Sequence, residues 1–198
     1  MRIRALLFVP ALAAAALGIG ASGASAATLF TSTAHSTRVS VGASWDATSV
    51  TTIDLTAAVG VLANSCHSNL SGVVAANNMT TGVALRVTGG SFSPCTNKIV
   101  TPTEFPWTLT ITGNGVTIGG NRAYRAAVDN VKFDVQDTGT FRGNLTTGIT
   151  ATQPVGATSP ITINIAGAGG WASAPLAGAL IDGSYRFTGT AAGWSLTD

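Results

Sequence analysis

A chain of 198 residues with 45% hydrophobic and only 9% charged side chains can fill one ordinary core and is too apolar for a disordered segment. Its ten Lys and Arg face eight Asp and Glu, and the balance is even once Arg2 and Arg4 of the leader described next are set aside. Nucleic-acid binding needs clustered cations that displace counterions from phosphates, so charges this scattered argue against it.

Met1 to Ala26 reads as a secretory signal peptide. Arg2 and Arg4 supply the positive start, residues 5–19 an almost unbroken apolar stretch, and Ala24-Ser25-Ala26 the small-residue cleavage site. The stretch is short for a spanning helix, which needs about 20 apolar residues. No later segment is apolar enough to span a bilayer as a helix. The expectation is export, cleavage after Ala26, and release of residues 27–198 as a single extracellular domain of bacterial style.

After the leader, apolar residues alternate with polar ones, which is the period of a strand. Ile53 and Leu55 flank Asp54. Cys66 and Cys95 follow, the only two cysteines of the chain. An even count in an exported chain favours a disulfide, closing a loop of about 30 residues worth roughly 3.5 kcal/mol in the chain-entropy model. A metal site or reactive thiol beside His67 is the alternative. Val83, Leu85 and Val87 alternate next, then Trp107, Leu109 and Ile111 with Thr between them. Asn114-Gly115 predicts a hairpin turn before Val116-Thr117-Ile118. Val131, Phe133 and Val135 continue the pattern. Thr150 to Ser159 reads as a loop, and Ile161, Ile163 and Ile165 as the next strand. Asp182-Gly183 predicts a turn before Tyr185 and Phe187. Gly89-Gly90, Gly119-Gly120 and Gly169-Gly170 punctuate other segments. No stretch beyond the leader keeps a helical period. About eight to ten short strands imply an all-β, antiparallel β-sandwich, immunoglobulin-like or Greek-key in order, with a closed β-barrel as the alternative.

Catalytic groups are few. Glu104 is the only Glu, no G-x-S-x-G elbow occurs beyond the leader, and a Ser-His-Asp set would have to use His35 or His67. Asp129, Asp134 and Asp137 match no calcium loop. The reading is non-enzymatic, with no catalytic residue, metal or cofactor assigned. The pairs Tyr124-Arg125, Phe141-Arg142 and Tyr185-Arg186 read as ring inward, guanidinium outward. The functional alternative is rings that bind a sugar or an apolar ligand, with Trp45, Trp171 and Trp194 as the candidates. Outward positions carry Thr, Ser, Ala and Gly where guarding charges usually stand, so strand-edge association with copies or matrix components is expected.

Between Cys66 and Thr110 the chain reads Cys66, Asn69-Leu70-Ser71-Gly72-Val73, Gly82-Val83-Ala84-Leu85, Gly90-Ser91-Phe92-Ser93-Pro94-Cys95 and Phe105-Pro106-Trp107-Thr108-Leu109. This resembles the small secreted PraB-like proteins, named for the protein activator of alkane oxidation, and their actinobacterial relatives. The resemblance covers about a quarter of the chain. It implies an extracellular, non-enzymatic protein associated with biofilms and with growth on hydrophobic carbon. Two functions are expected from all this. The first is a secreted, non-catalytic β-protein of the cell surface or biofilm matrix that aids contact with hydrophobic substrates. The second is a secreted module that binds carbohydrate or a small apolar ligand.

Overall fold

The computed structural model describes residues 26–57, 62–156, 160–176 and 178–198. The expected leader, apart from Ala26, lies outside them. The strands in chain order are β1 (Thr28–Phe30), β2 (Ser44–Ser49), β3 (Ile53–Thr56), β4 (Ala63–Asn78), β5 (Gly82–Cys95), β6 (Val100–Pro102) and β7 (Trp107–Ile118). They continue with β8 (Asn121–Val135), β9 (Gly139–Leu145), β10 (Ile149–Pro154), β11 (Thr162–Ala168), β12 (Trp171–Ser173), β13 (Leu180–Thr188) and β14 (Ser195–Thr197). A 3₁₀ turn spans Gly189–Gly193.

Several short strands are halves of one longer stave. β2 and β3 both lie between β13 and β4. β6 and β7 both lie between β5 and β8. β9 and β10 share β8 as a neighbour, and β12 and β11 flank their other side. The staves are thus β2–β3, β4, β5, β6–β7, β8, β9–β10, β11–β12 and β13. Each pairs antiparallel with its neighbours in sequence, and β13 returns to β2–β3. The path closes into a ring whose inner faces meet in one core, as the two walls of a sandwich do. The order is a meander, not the expected Greek key, because each stave reverses straight into the next.

The alternation in the sequence decides which face is inward. Ile53, Leu55, Val83, Leu85, Val87, Trp107, Leu109, Ile111, Val131, Phe133 and Val135 are all buried. Tyr124, Phe141 and Tyr185 point inward while Arg125, Arg142 and Arg186 are exposed, as the dipeptides predict.

Three turn expectations are corrected. Asn114-Gly115 lies inside β7, in a bulge between Thr112 and Val116. Gly115 allows close approach there, since a Cβ would come within 2.7 Å of the Tyr124 ring. The reversal falls at Gly119-Gly120, where φ is +56° and +79°, the two successive positive values that a two-residue hairpin turn needs. Asp182-Gly183 is likewise inside β13, opposite the interruption between β2 and β3, where the Val50 N–H donates to the Ser184 carbonyl at 2.8 Å. Gly89-Gly90 is inside β5. Residues 150–154 of the expected loop form part of β10, held between β8 and β11, and residues 157–159 lie outside the described residues.

One end of the ring is capped by the first and last strands of the described residues. β1 pairs with β14, and Ala27, Leu29, Val39, Ala191, Trp194 and Leu196 join the core. Two carboxamides hold this cap. Asn77 donates to the carbonyls of Leu29 and Val39 at 2.8 and 2.9 Å and accepts from the Leu29 N–H at 2.9 Å. Gln153 donates to the Trp194 carbonyl at 2.9 Å and accepts from the Leu196 N–H at 2.8 Å. At the opposite end Cys66 and Cys95, paired across β4 and β5, form a disulfide. Beside it Asn64 accepts from the N–H groups of Asn97 and Lys98 at 3.0 and 3.2 Å, shaping the link to β6. No helix among the described residues is long and apolar enough to cross a membrane.

Candidate functional site

Eight strands closed on themselves leave an interior just wide enough for side chains to fill, or for one small ligand. Here the filling is incomplete. A cavity of about 60 Å³ lies in the core, and every stave contributes to its wall. Ala47, Leu70, Val87, Trp107, Phe133, Leu145, Ile163 and Tyr185 represent the eight staves in order. The wall is aliphatic and aromatic because inward positions fall two residues apart on every stave.

Three lining residues, Tyr185, Trp45 and Trp107, carry a polar group, but the surface they turn to the cavity is apolar. The Tyr185 hydroxyl donates to Ser68 Oγ at 2.9 Å, and Ser68 in turn donates its backbone N–H to Ser49 Oγ at 3.0 Å. Full burial pushes the Tyr185 phenol well above its usual range, so it is a neutral hydroxyl at any physiological pH. Trp45 is 2% exposed, and its indole N–H has no hydrogen-bond acceptor. Trp107 and Trp171 differ: their N–H groups reach the carbonyls of Thr103 and Ala179 at 3.1 and 2.9 Å.

The three candidate tryptophans approach the cavity differently. Trp45 lines it. Trp194 stands behind Phe187, edge-on at 6.3 Å, and Phe187 stacks on Trp45 at 5.6 Å. Trp171 is half-buried and meets Phe133 edge-on at 5.3 Å and Phe141 at 5.8 Å. Phe187 and Phe133 are themselves wall residues. Trp45 and Trp194 are buried, so neither offers the open ring face on which a sugar would stack.

The remaining candidates are dispersed. His35 sits in the cap segment with its ring 5.5 Å from Phe30. His67 is exposed on β4, beside the disulfide. Asp129 and Asp134 lie on β8 and Asp137 in the turn after it. Among the described residues no three His, Cys, Asp or Glu side chains gather where they could hold a metal. Glu104 bridges Lys132 and Arg142 on the outside of the ring, with Arg142 Nη2 at 2.7 Å. The hydrogen bond from Lys132, aided by Arg142, holds its carboxyl below the usual range. At the cap, Tyr124 accepts from Arg122 Nε at 3.1 Å and lies 3.3 Å from both the Leu196 carbonyl and the Asp198 carboxylate. Burial first, and the Asp198 charge second, push its phenol up to about 12.

No family model, no curated protein and no solved structure is similar to this chain. The segment from Cys66 to Thr110 occupies consecutive staves, from β4 through β5 into β7, and so contributes Leu70, Val87, Phe92, Trp107 and Leu109 to the cavity wall.

Reading the sequence missed Ala47, Ser68 and Tyr185 as site residues. Ala47 carries a signal only in hindsight, as a small residue where Trp45 and Ser49 bracket an inward position. The Ser68–Tyr185 contact spans 117 residues and leaves no local trace.

Proposed function

We propose that this protein is an exported, non-catalytic β-protein that holds a small apolar molecule in the centre of its ring. The observation that carries this reading is the cavity walled by all eight staves. A dry, apolar void is a binding site for matching ligands: an engineered cavity of about 150 Å³ takes benzene or xenon. This cavity is smaller, so its occupant is a short chain or compact molecule of a few carbon atoms. The disulfide supports an oxidising destination, as expected for a chain carrying a cleaved leader. The resemblance to proteins associated with hydrophobic carbon supports the same choice of ligand class. Intact mass of the exported protein tests cleavage after Ala26.

Thermal unfolding under xenon or butane tests the binding itself. A ligand present at a hundredfold excess over its Kd adds about 2.7 kcal/mol, a readily measured rise in Tm. Ala47→Val places two more carbons at the buried wall position. It is expected to raise Tm slightly without ligand and to abolish the ligand-dependent rise. Absence of any rise in the parent protein, with every gas and short hydrocarbon tried, would remove the proposal.

A second reading, action at the cell surface or in biofilm matrix, is favoured by the outside of the molecule. Val116, Ile118 and Val155 are 58%, 65% and 57% exposed, and the Val155 N–H donates to the Gly120 carbonyl, which brings them to one tip of the ring. Deleting the gene and measuring biofilm mass and adhesion to hydrocarbon tests it; unchanged values in both count against it.

A further inference from the structure

Two irregularities of the sheet meet on the outside of the ring. β8 carries an extra residue between Val128 and Val131 where it pairs with β9, and β12 carries one between Trp171 and Ser173 where it pairs with the same strand. Such bulges re-aim side chains and are common beside binding sites. Asn130 lies in the first and Ala172 in the second. Both line an open groove of about 460 Å³, together with Glu104, Lys132, Arg142 and Asn144. That size falls within the roughly 300–1,000 Å³ of small-molecule clefts. The surface of the central cavity is apolar, whereas that of the groove is mostly polar.

The groove is built around one charge cluster. Lys132 and Arg142 stand directly opposite each other on β8 and β9. Like charges so placed repel, and Glu104 answers both from the β6–β7 link, one carboxylate oxygen to each. Glu104 and Asn130 both take left-handed φ, +49° and +59°, a conformation that residues other than glycine seldom adopt and that gathers at ligand sites. Glu104 and Arg142 are 58% and 54% exposed, so the cluster lies open at the surface. An ionised carboxylate has about four lone-pair sites, and the two cations use one on each oxygen of Glu104. The guanidinium of Arg142 keeps further N–H donors beside them.

We infer that this groove binds a neutral sugar ring, whose adjacent hydroxyls donate to the Glu104 carboxylate and accept from Arg142 and Lys132. The C–H face of the ring lies against Pro106 and Ala172, the apolar part of the lining. A hydroxyl is donor and acceptor at once, which is what a carboxylate and cations side by side require. A carboxylate ligand is repelled by Glu104, and an ammonium by Lys132 and Arg142. A hydrocarbon would strip water from charged groups and return nothing. The groove is separate from the central cavity, and its ligand does not depend on what that cavity holds.

The methyl glycosides of mannose, galactose, glucose and glucuronic acid are the probes, added to the disulfide-bonded protein and followed by NMR. At least one neutral glycoside is expected to move the Arg142 Nε–H resonance and the backbone amides of Asn130 and Asn144. It is expected to bind roughly tenfold more tightly than the glucuronide, because like charge rejects the wrong partner. Glu104→Gln keeps the shape and removes the charge. It is expected to reverse the preference, weakening the neutral glycoside and admitting the glucuronide to Lys132 and Arg142. Should that variant not fold, Arg142→Ala, at an exposed position, is expected to lose the neutral glycoside while the Tm stays unchanged. No shift at these resonances with any neutral glycoside, a glucuronide bound as tightly by the parent protein, or an unchanged preference in folded Glu104→Gln overturns the inference.

Discussion

Trp45 faces Gly72 across the β2–β4 pair, and the two residues depend on each other. A Cβ at Gly72 would sit 1.9 Å from the Arg86 carbonyl oxygen and 2.8 Å from Trp45 Cζ2. The first of these contacts is backbone and cannot swing away. Gly72→Ala is therefore expected to destabilise by about 3 kcal/mol, the upper range of overpacking, as read by denaturant unfolding. The surface offers the contrast. The ion pairs of Glu104 lie at the solvent-exposed surface, where screening leaves them little weight in stability. Titration also belongs to single residues. Tyr124 holds its proton up to about pH 12 in the native state, against about 10 unfolded, and Tyr185 is shifted the same way. A raised native pKa means that the contribution is complete below pH 10 and is lost as pH climbs from 10 through 12. The expected outcome is one cooperative alkaline transition, in which phenolate absorbance from both tyrosines rises together with loss of near-UV dichroism. Two phenols titrating near pH 10 in a folded protein would contradict it.

The Cys66–Cys95 bridge pins the far end of the β4–β5 hairpin, opposite the turn that connects the two strands. Its separation of 29 residues gives roughly 3.5 kcal/mol by restriction of the unfolded chain. Replacing both cysteines with Ala is expected to remove about 2–4 kcal/mol in denaturant unfolding while leaving the far-UV spectrum β-rich. The cap element is held differently, by Asn77 and Gln153. Their partners lie 48 and 38 residues from Asn77, and 41 and 43 from Gln153. No hydrophobic period marks either residue as an organiser. Their importance comes from buried backbone groups of β1 and β14 that have no other stave to pair with.

Closure is the property of the whole molecule. The charge-poor Thr and Ser faces led to an expectation of association through strand edges, but every stave has a neighbour on both sides. Closing a sheet removes its edges without any guarding charge. Deleting residues from Leu180 onward takes away β13, which joins β11 to β2–β3. Two edges would then be open, an uncharged one on β11 and one on β2–β3 guarded only by Asp46 and Asp54. The shortened chain is expected to aggregate at concentrations where the intact protein scatters no light; a shortened chain that stays monodisperse would show that closure is not what keeps the strands apart.

Much of this was legible in the residues themselves. Apolar residues two apart fixed the strands and their inward faces from Ile53 to Phe187, because a pleated strand exposes alternate side chains to opposite sides whatever it pairs with. Two cysteines in a chain that reads as exported were enough to expect their bond. The tertiary structure decided what alternation cannot carry. Asn114-Gly115 became a bulge and Gly119-Gly120 the turn, since register is set by pairing with β8 and β5 and not by the dipeptide alone. Trp45, Trp171 and Trp194 look equivalent in the sequence, yet of the three only Trp45 lines the cavity. That difference arises from side chains more than a hundred residues apart, and no pattern along one strand records it.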